Sequence, residues 1–122
     1  MDDFESIRQL TARYNRCFDD RDIDGWLACW TPDGEFEFLD SGRRILGHEA
    51  LRSNIETVQN TGRHVTTDFI ITVDGDRATQ SCQLCELGID DTPVVRRFGR
   101  YEDHLTREAG AWRFRTRRLR YG

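Results

Sequence analysis

Lysine is missing altogether from this sequence: all 18 basic positions are arginine. Against 22 acidic residues they leave a formal net charge of −4, which argues against a surface given over to nucleic acid or anionic lipid. Also missing is any apolar run near the roughly 20 residues that cross a bilayer. The opening MDDFESIRQL is acidic where a secretory leader starts basic and turns apolar. The expectation is a cytoplasmic protein with no membrane partner. Cysteine is sparse, with four residues. Cys82 and Cys85 spell CQLC, but side chains three apart on a strand point to opposite faces and cannot share one ion. Cys17 and Cys29 fall among apolar helical positions, where a free thiol packs as a small hydrophobe. Neither a metal site nor an organic cofactor is expected.

What is present suits one globular domain spanning 1–122, with 37% hydrophobic and 33% charged residues. From Phe4, apolar residues recur at Ile7, Leu10, Tyr14, Cys17 and Phe18, the stripe of a helix. A second short helix follows, capped by Asp22 or Asp24, burying Trp26, Leu27 and Trp30 and ending at the turn TPDG. EFEF at 35–38 alternates as a strand, and Ile45 and Leu46 suggest a short second one. A third helix from about His48 buries Leu51, Ile55 and Val58, with Gly62, after Asn60 and Thr61, as its stop.

The second half reads as three long β segments separated by DGD at 74–76, DDTP at 90–93 and REAG at 107–110, an antiparallel meander. Helices first and strands afterwards predict an α+β domain whose curved sheet wraps the helices and leaves a cone-shaped cavity. Trp26, Trp30, Phe36, Phe38 and Tyr101, with Phe69 and Leu84 deeper, are the expected lining for a small, ring-containing, mostly apolar ligand. Five arginines crowd the last strand, at 113, 115, 117, 118 and 120, and acidic neighbours such as Glu102, Asp103 and Glu108 are their expected partners.

Four segments in this order, YNRCFDDRDIDGWLACWTPDGEFEF, GHEALR, RHVTTDFIITVDGDRA and GRYEDHLTREAGAWRFRTRR, resemble the SnoaL-like branch of the NTF2-like (cystatin-like α+β barrel) superfamily over essentially the whole chain. The nearest functional pattern is that of scytalone dehydratase, the bile-acid dehydratase and hexachlorocyclohexane dehydrochlorinase. That resemblance implies an aspartate after the first helix at Asp19, a histidine opening the first long strand at His64, a tyrosine at Tyr14 and an arginine at Arg117. It implies dimers or trimers, and, with Gly122 just past the last strand, a cavity that is open or covered by a neighbouring subunit.

Geometry sets conditions on these assignments. At about 100° per residue, Asp19 lies roughly 140° round the helix from Tyr14, so an inward carboxylate requires the helix to break at Phe18. Strict alternation puts His64 on the face opposite Phe69, Ile71 and Val73 unless a bulge intervenes near Thr66 and Thr67, or the strand starts only after His64. The same rule groups Trp112, Phe114 and Thr116 with Arg118, leaving Arg117 and Arg118 both open as the inward residue. His48 and His104 are weaker candidates, at a helix start and a hairpin end.

The resulting expectation is a cofactor-independent lyase or isomerase of dehydratase or cyclase type. His64 is the general base, Asp19 its orienting partner, Tyr14 an oxygen-side donor and Arg117 an electrostatic helper. The alternatives are a non-catalytic binder of small hydrophobic ligands and a scaffold like the small subunit of an aromatic-ring dioxygenase.

Overall fold

Asp2 caps the first helix by accepting the Glu5 N–H at 2.8 Å, and Ile7, Leu10, Tyr14 and Phe18 then form the buried stripe of α1 (Asp3–Asp19). The computed structural model describes residues 1–59 and 62–122. α1 does not break at Phe18. It stays regular through Asp19 and ends in a Schellman closure, with the Arg21 N–H donating to Phe18 O at 3.2 Å and the Asp22 N–H to Cys17 O at 2.8 Å. Arg21 occupies the left-handed position, φ 60°, that usually takes glycine. Its guanidinium donates to the Ile55 and Val58 carbonyls, where the negative end of the third helix favours a cation.

Asp22 caps α2 (Ile23–Leu27) through the Gly25 N–H. Trp30 is not in that helix; it opens β1 (Trp30–Phe38), and TPDG is an irregular stretch inside β1 rather than a turn before it. β2 (Arg43–Leu46) pairs antiparallel with β1. α3 (Gly47–Thr57) buries Leu51, Asn54 and Ile55, whereas Val58, expected inside, caps the helix and is 37% exposed. The helix has ended before Gly62, which begins the next strand; the Asn60 and Thr61 part of the expected stop signal lies outside the described residues.

Four long strands follow, one more than expected because three turns divide four segments: β3 (Gly62–Asp74), β4 (Arg77–Gly88), β5 (Val94–Glu108) and β6 (Ala111–Tyr121). They join one curved sheet in the order β2-β1-β6-β5-β4-β3. β1 and β6 run parallel, and every other pair is antiparallel. Tyr14, Trp26, Trp30, Tyr101 and Phe114 form the centre of the core between helices and sheet, each contributing on the order of 1.5–3 kcal/mol by burial.

Two bulges decide which residues face that interior. Thr67 pairs with Gln83 but Ile70 with Ser81, so β3 carries one extra residue, and Asp68 sits there at φ 56°. His64 and Thr66 before it, and Phe69, Ile71 and Val73 after it, therefore all lie on the more buried side. In β6, Leu105 pairs with Phe114 but His104 with Thr116, which leaves Arg115 as the extra, exposed residue. The inward series Trp112 and Phe114 then continues at Arg117 and Leu119. Arg118 faces out and pairs with Glu37 at 3.2 Å.

Candidate active site

Four residues of helix rise about 6 Å, nearly the span of two residues of strand. Asn15 and Asp19, one turn apart on the flank of α1, accordingly meet Thr66 and His64, two apart on β3. Asn15 Nδ2 donates to Thr66 Oγ1 at 3.1 Å. Asp19 is bound twice by His64: Oδ2 accepts the backbone N–H at 2.9 Å and Oδ1 the ring Nδ1–H at 2.6 Å. The pairing forms without a helix break because β3 lies along the flank of α1, not only along its apolar stripe. Since a carboxylate can only accept, Nδ1 carries a proton and Nε2 is the ring nitrogen free to exchange one.

Nε2 points across the strands. His64, Glu86 and Arg97 are direct cross-strand neighbours on β3, β4 and β5. Glu86 Oε1 lies 3.4 Å from Nε2, and its other oxygen accepts from Arg97 Nε at 2.9 Å. Arg97 in turn lies over the Tyr121 ring, 4.1 Å from its centre. Phe18 and the imidazole meet edge to face, with their ring centres 5.1 Å apart. Burial opposes charge on His64, but the bonds to Asp19 and Glu86 outweigh it and hold its pKa above the ordinary value. Burial would likewise raise Glu86, yet contact with His64 and Arg97 leaves it below the usual carboxylate range.

His64 and Glu86 border a cavity of about 170 Å³. Tyr14, Phe18, Phe36, Phe38 and Tyr101 supply aromatic wall, with Phe36 and Phe38 stacked at 4.7 Å. Burial holds the Tyr14 hydroxyl well above the ordinary phenol pKa, so it stays a hydrogen-bond donor. Of the expected lining, Phe36, Phe38 and Tyr101 border the cavity. Trp26, Trp30 and Leu84 are instead fully buried in the core, and Phe69 packs against it from below the bulge.

Arg117 is placed differently from its expected role. It is completely buried beneath the wall, bonded to Asp103 at 2.9 and 3.2 Å. The Tyr101 ring centre is 3.5 Å from its guanidinium carbon, and those of Tyr14 and Phe114 are 4.5 Å away. Gln80 links Asp103 to Thr11 at 2.9 and 3.0 Å. Asp103 outweighs the effect of burial and keeps Arg117 charged. Arg117 therefore meets the cavity through Tyr14 and Tyr101 rather than by lining it.

Glu86, Gln80 and Asp103 did not figure as site or core residues in the sequence reading, apart from Asp103 as a surface partner for arginine. Each carries one signal: it occupies an inward position in an apolar alternation, Ala78-Gln80-Cys82-Leu84-Glu86 or Tyr101-Asp103-Leu105. A polar side chain at such a position must find a partner inside. Cys82 is buried beside Arg117 at 3.7 Å, with burial pushing its thiol up to about 12, while Cys85 lies on the other face. Among the described residues no cluster of His, Cys, Asp and Glu is arranged to hold a metal ion, and no helix is long and apolar enough to cross a membrane. A second, shallower hollow of about 480 Å³ lies around the outer-face row Thr72, Thr79, His104 and Thr116, away from His64.

Known proteins share this architecture. A variant of Rv3472, a protein of unknown function from Mycobacterium tuberculosis, is 36% identical and superposes with a TM-score of 0.89 over 98% of this chain and 71% of its own. An NTF2-like protein with a cystatin-like fold from Novosphingobium aromaticivorans is 25% identical, with a TM-score of 0.88 over 98% and 81% of the two chains. A candidate scytalone dehydratase from the same organism shares the fold at 18% identity, with a TM-score of 0.83 over 98% and 83%. Among curated proteins none matches. The family model for the SnoaL-like domain matches residues 1–118, and with this curved sheet and its three helices the chain belongs to that family and has the NTF2-like fold.

Proposed function

We propose that this protein is a cofactor-independent lyase or isomerase, of dehydratase or cyclase type, acting on a small cyclic substrate. The observation that carries the reading is the His64 ring, fixed by Asp19 on one nitrogen while the other faces Glu86 at an aromatic-walled cavity. In a dehydration, neutral His64 takes the proton from the carbon beside a carbonyl through Nε2. The electron pair moves into the forming C=C bond, and the departing hydroxyl leaves as water with the proton that His64 returns. Asp19 and Glu86 stabilise the imidazolium between the two transfers. Tyr14, kept protonated by burial, donates to the substrate oxygen where charge develops. Similarity to a candidate scytalone dehydratase supports this class of chemistry.

Cyclic β-hydroxy ketones test the reading, for example 3-hydroxy-1-tetralone, whose loss of water gives 1-naphthol, followed by absorbance. His64→Ala should lower turnover by about 10²–10⁴-fold while circular dichroism shows an unchanged fold. Normal turnover by that variant defeats the proton-transfer role. Tight binding with no turnover across such a panel favours the ligand-binding alternative.

A further inference from the structure

The chain as a whole is acidic, with a net charge of −4, yet its cavity mouth is basic. Arg43, Arg63, Arg96 and Arg97 border the cavity, against Glu86 as the lone acidic residue on its wall among the described residues. Arg97 is committed to Glu86 and Tyr121. Arg43 and Arg63 are not: among the described residues neither bonds a carboxylate, Arg43 lying 5.9 Å from the Phe38 ring centre and Arg63 donating to Gly62 O. Arg96, which pairs with exposed Asp90 at 3.6 Å, is positioned by backbone. Gly62 and Gly88 face each other across β3 and β4. A Cβ on Gly88 would fall 2.8 Å from Arg96 Nε, whereas one on Gly62 would clash with the Leu87 carbonyl oxygen and stand in ordinary contact with Arg96. The guanidinium thus rests over Gly88, where a Cβ would push it aside.

A ring of guanidiniums around a low-dielectric opening favours anions and matches a planar carboxylate by paired N–H donors. Resting on the cavity being the substrate site, we infer that the substrate is an anionic ring compound. Its carboxylate docks at the mouth on Arg43 and Arg63, with Arg96 lying nearby over Gly88, while the ring enters between the aromatic walls toward His64.

The test compares two non-reacting probes of the same shape, 2-naphthoate and 2-naphthamide, by isothermal titration calorimetry at low salt. The naphthoate should bind about tenfold more tightly than the amide, and this preference should shrink as salt is added. It should fall away in the Arg43→Gln/Arg63→Gln double variant, the loss of naphthoate affinity exceeding any change for the amide. Gly88→Ala, which moves only the end of a flexible side chain, should weaken naphthoate selectively. Equal binding of the two probes, no binding of either at millimolar concentration, or a preference that survives the double variant overturns the inference. His64→Ala should keep the preference, so loss of turnover there and loss of anion selection at the mouth are read separately.

Discussion

One buried acid–base pair lies at the cavity and another beneath it, and they differ in what surrounds them. Asp103 and Arg117 are sealed, with neither side chain exposed, and around them lie Gln80, the Cys82 thiol and three aromatic faces. Asp19 and His64 are also mostly buried, at 5% and 12% side-chain exposure, but the second ring nitrogen of His64 meets only a long 3.4 Å contact to Glu86 beside a cavity. A sealed pair can fix a conformation; a pair with one loosely held edge can also pass a proton to something that enters.

Removing one member of each pair should separate the two roles. Asp103→Asn leaves a buried guanidinium without its counterion and should destabilise the protein by about 3–5 kcal/mol in urea unfolding. The double change Asp103→Leu/Arg117→Met should recover most of that, because two apolar side chains need no partner. Asp19→Asn should be milder in stability, about 1–3 kcal/mol, but should strip His64 of its strongest support.

The pH dependence sharpens the contrast. A histidine whose folded pKa is raised contributes stability that is fully present below its unfolded value, about 6.5, and is lost as pH rises through the folded pKa. His64 is such a group. Because neutral His64 is the base, activity should climb with pH through that same raised value, and Asp19→Asn should move both the activity limb and the His64 titration, followed by nuclear magnetic resonance, to lower pH. The smallest effect belongs to Arg118, next to Arg117 in sequence but half exposed and paired to Glu37. Arg118→Ala should change stability by about 0–1 kcal/mol, so a loss as large as that of Asp103→Asn would erase the distinction drawn between the inner and outer faces of β6.

Much of this site was legible in the residues, though not by periodicity alone. Helical arithmetic turned Asp19 away from Tyr14, and it remains so turned in the structure; what it could not supply was the position of β3 along the flank of α1. Strand alternation turned His64 and Arg117 outward, and single extra residues at Asp68 and Arg115 turned them back. A bulge leaves little trace in composition, since any exposed residue can occupy it; a non-glycine at positive φ such as Asp68 is visible only in coordinates. Glu86 was overlooked because a charged residue near a strand end reads as solvated until its inward register is known.

By itself, the order of apolar stripes, caps and turns determined the element types and the α+β class, because those depend on local periodicity and on contacts a few residues apart. The resemblance carried by four segments added the candidate residues. Only the tertiary structure decided which of them meet. Asp19 and His64 are brought together by matching helix rise to strand rise, Glu86 and Arg97 join them through cross-strand register, and Arg117 is drawn under the floor by Asp103. Each depends on long-range register, which shifts by a whole face when one residue is inserted.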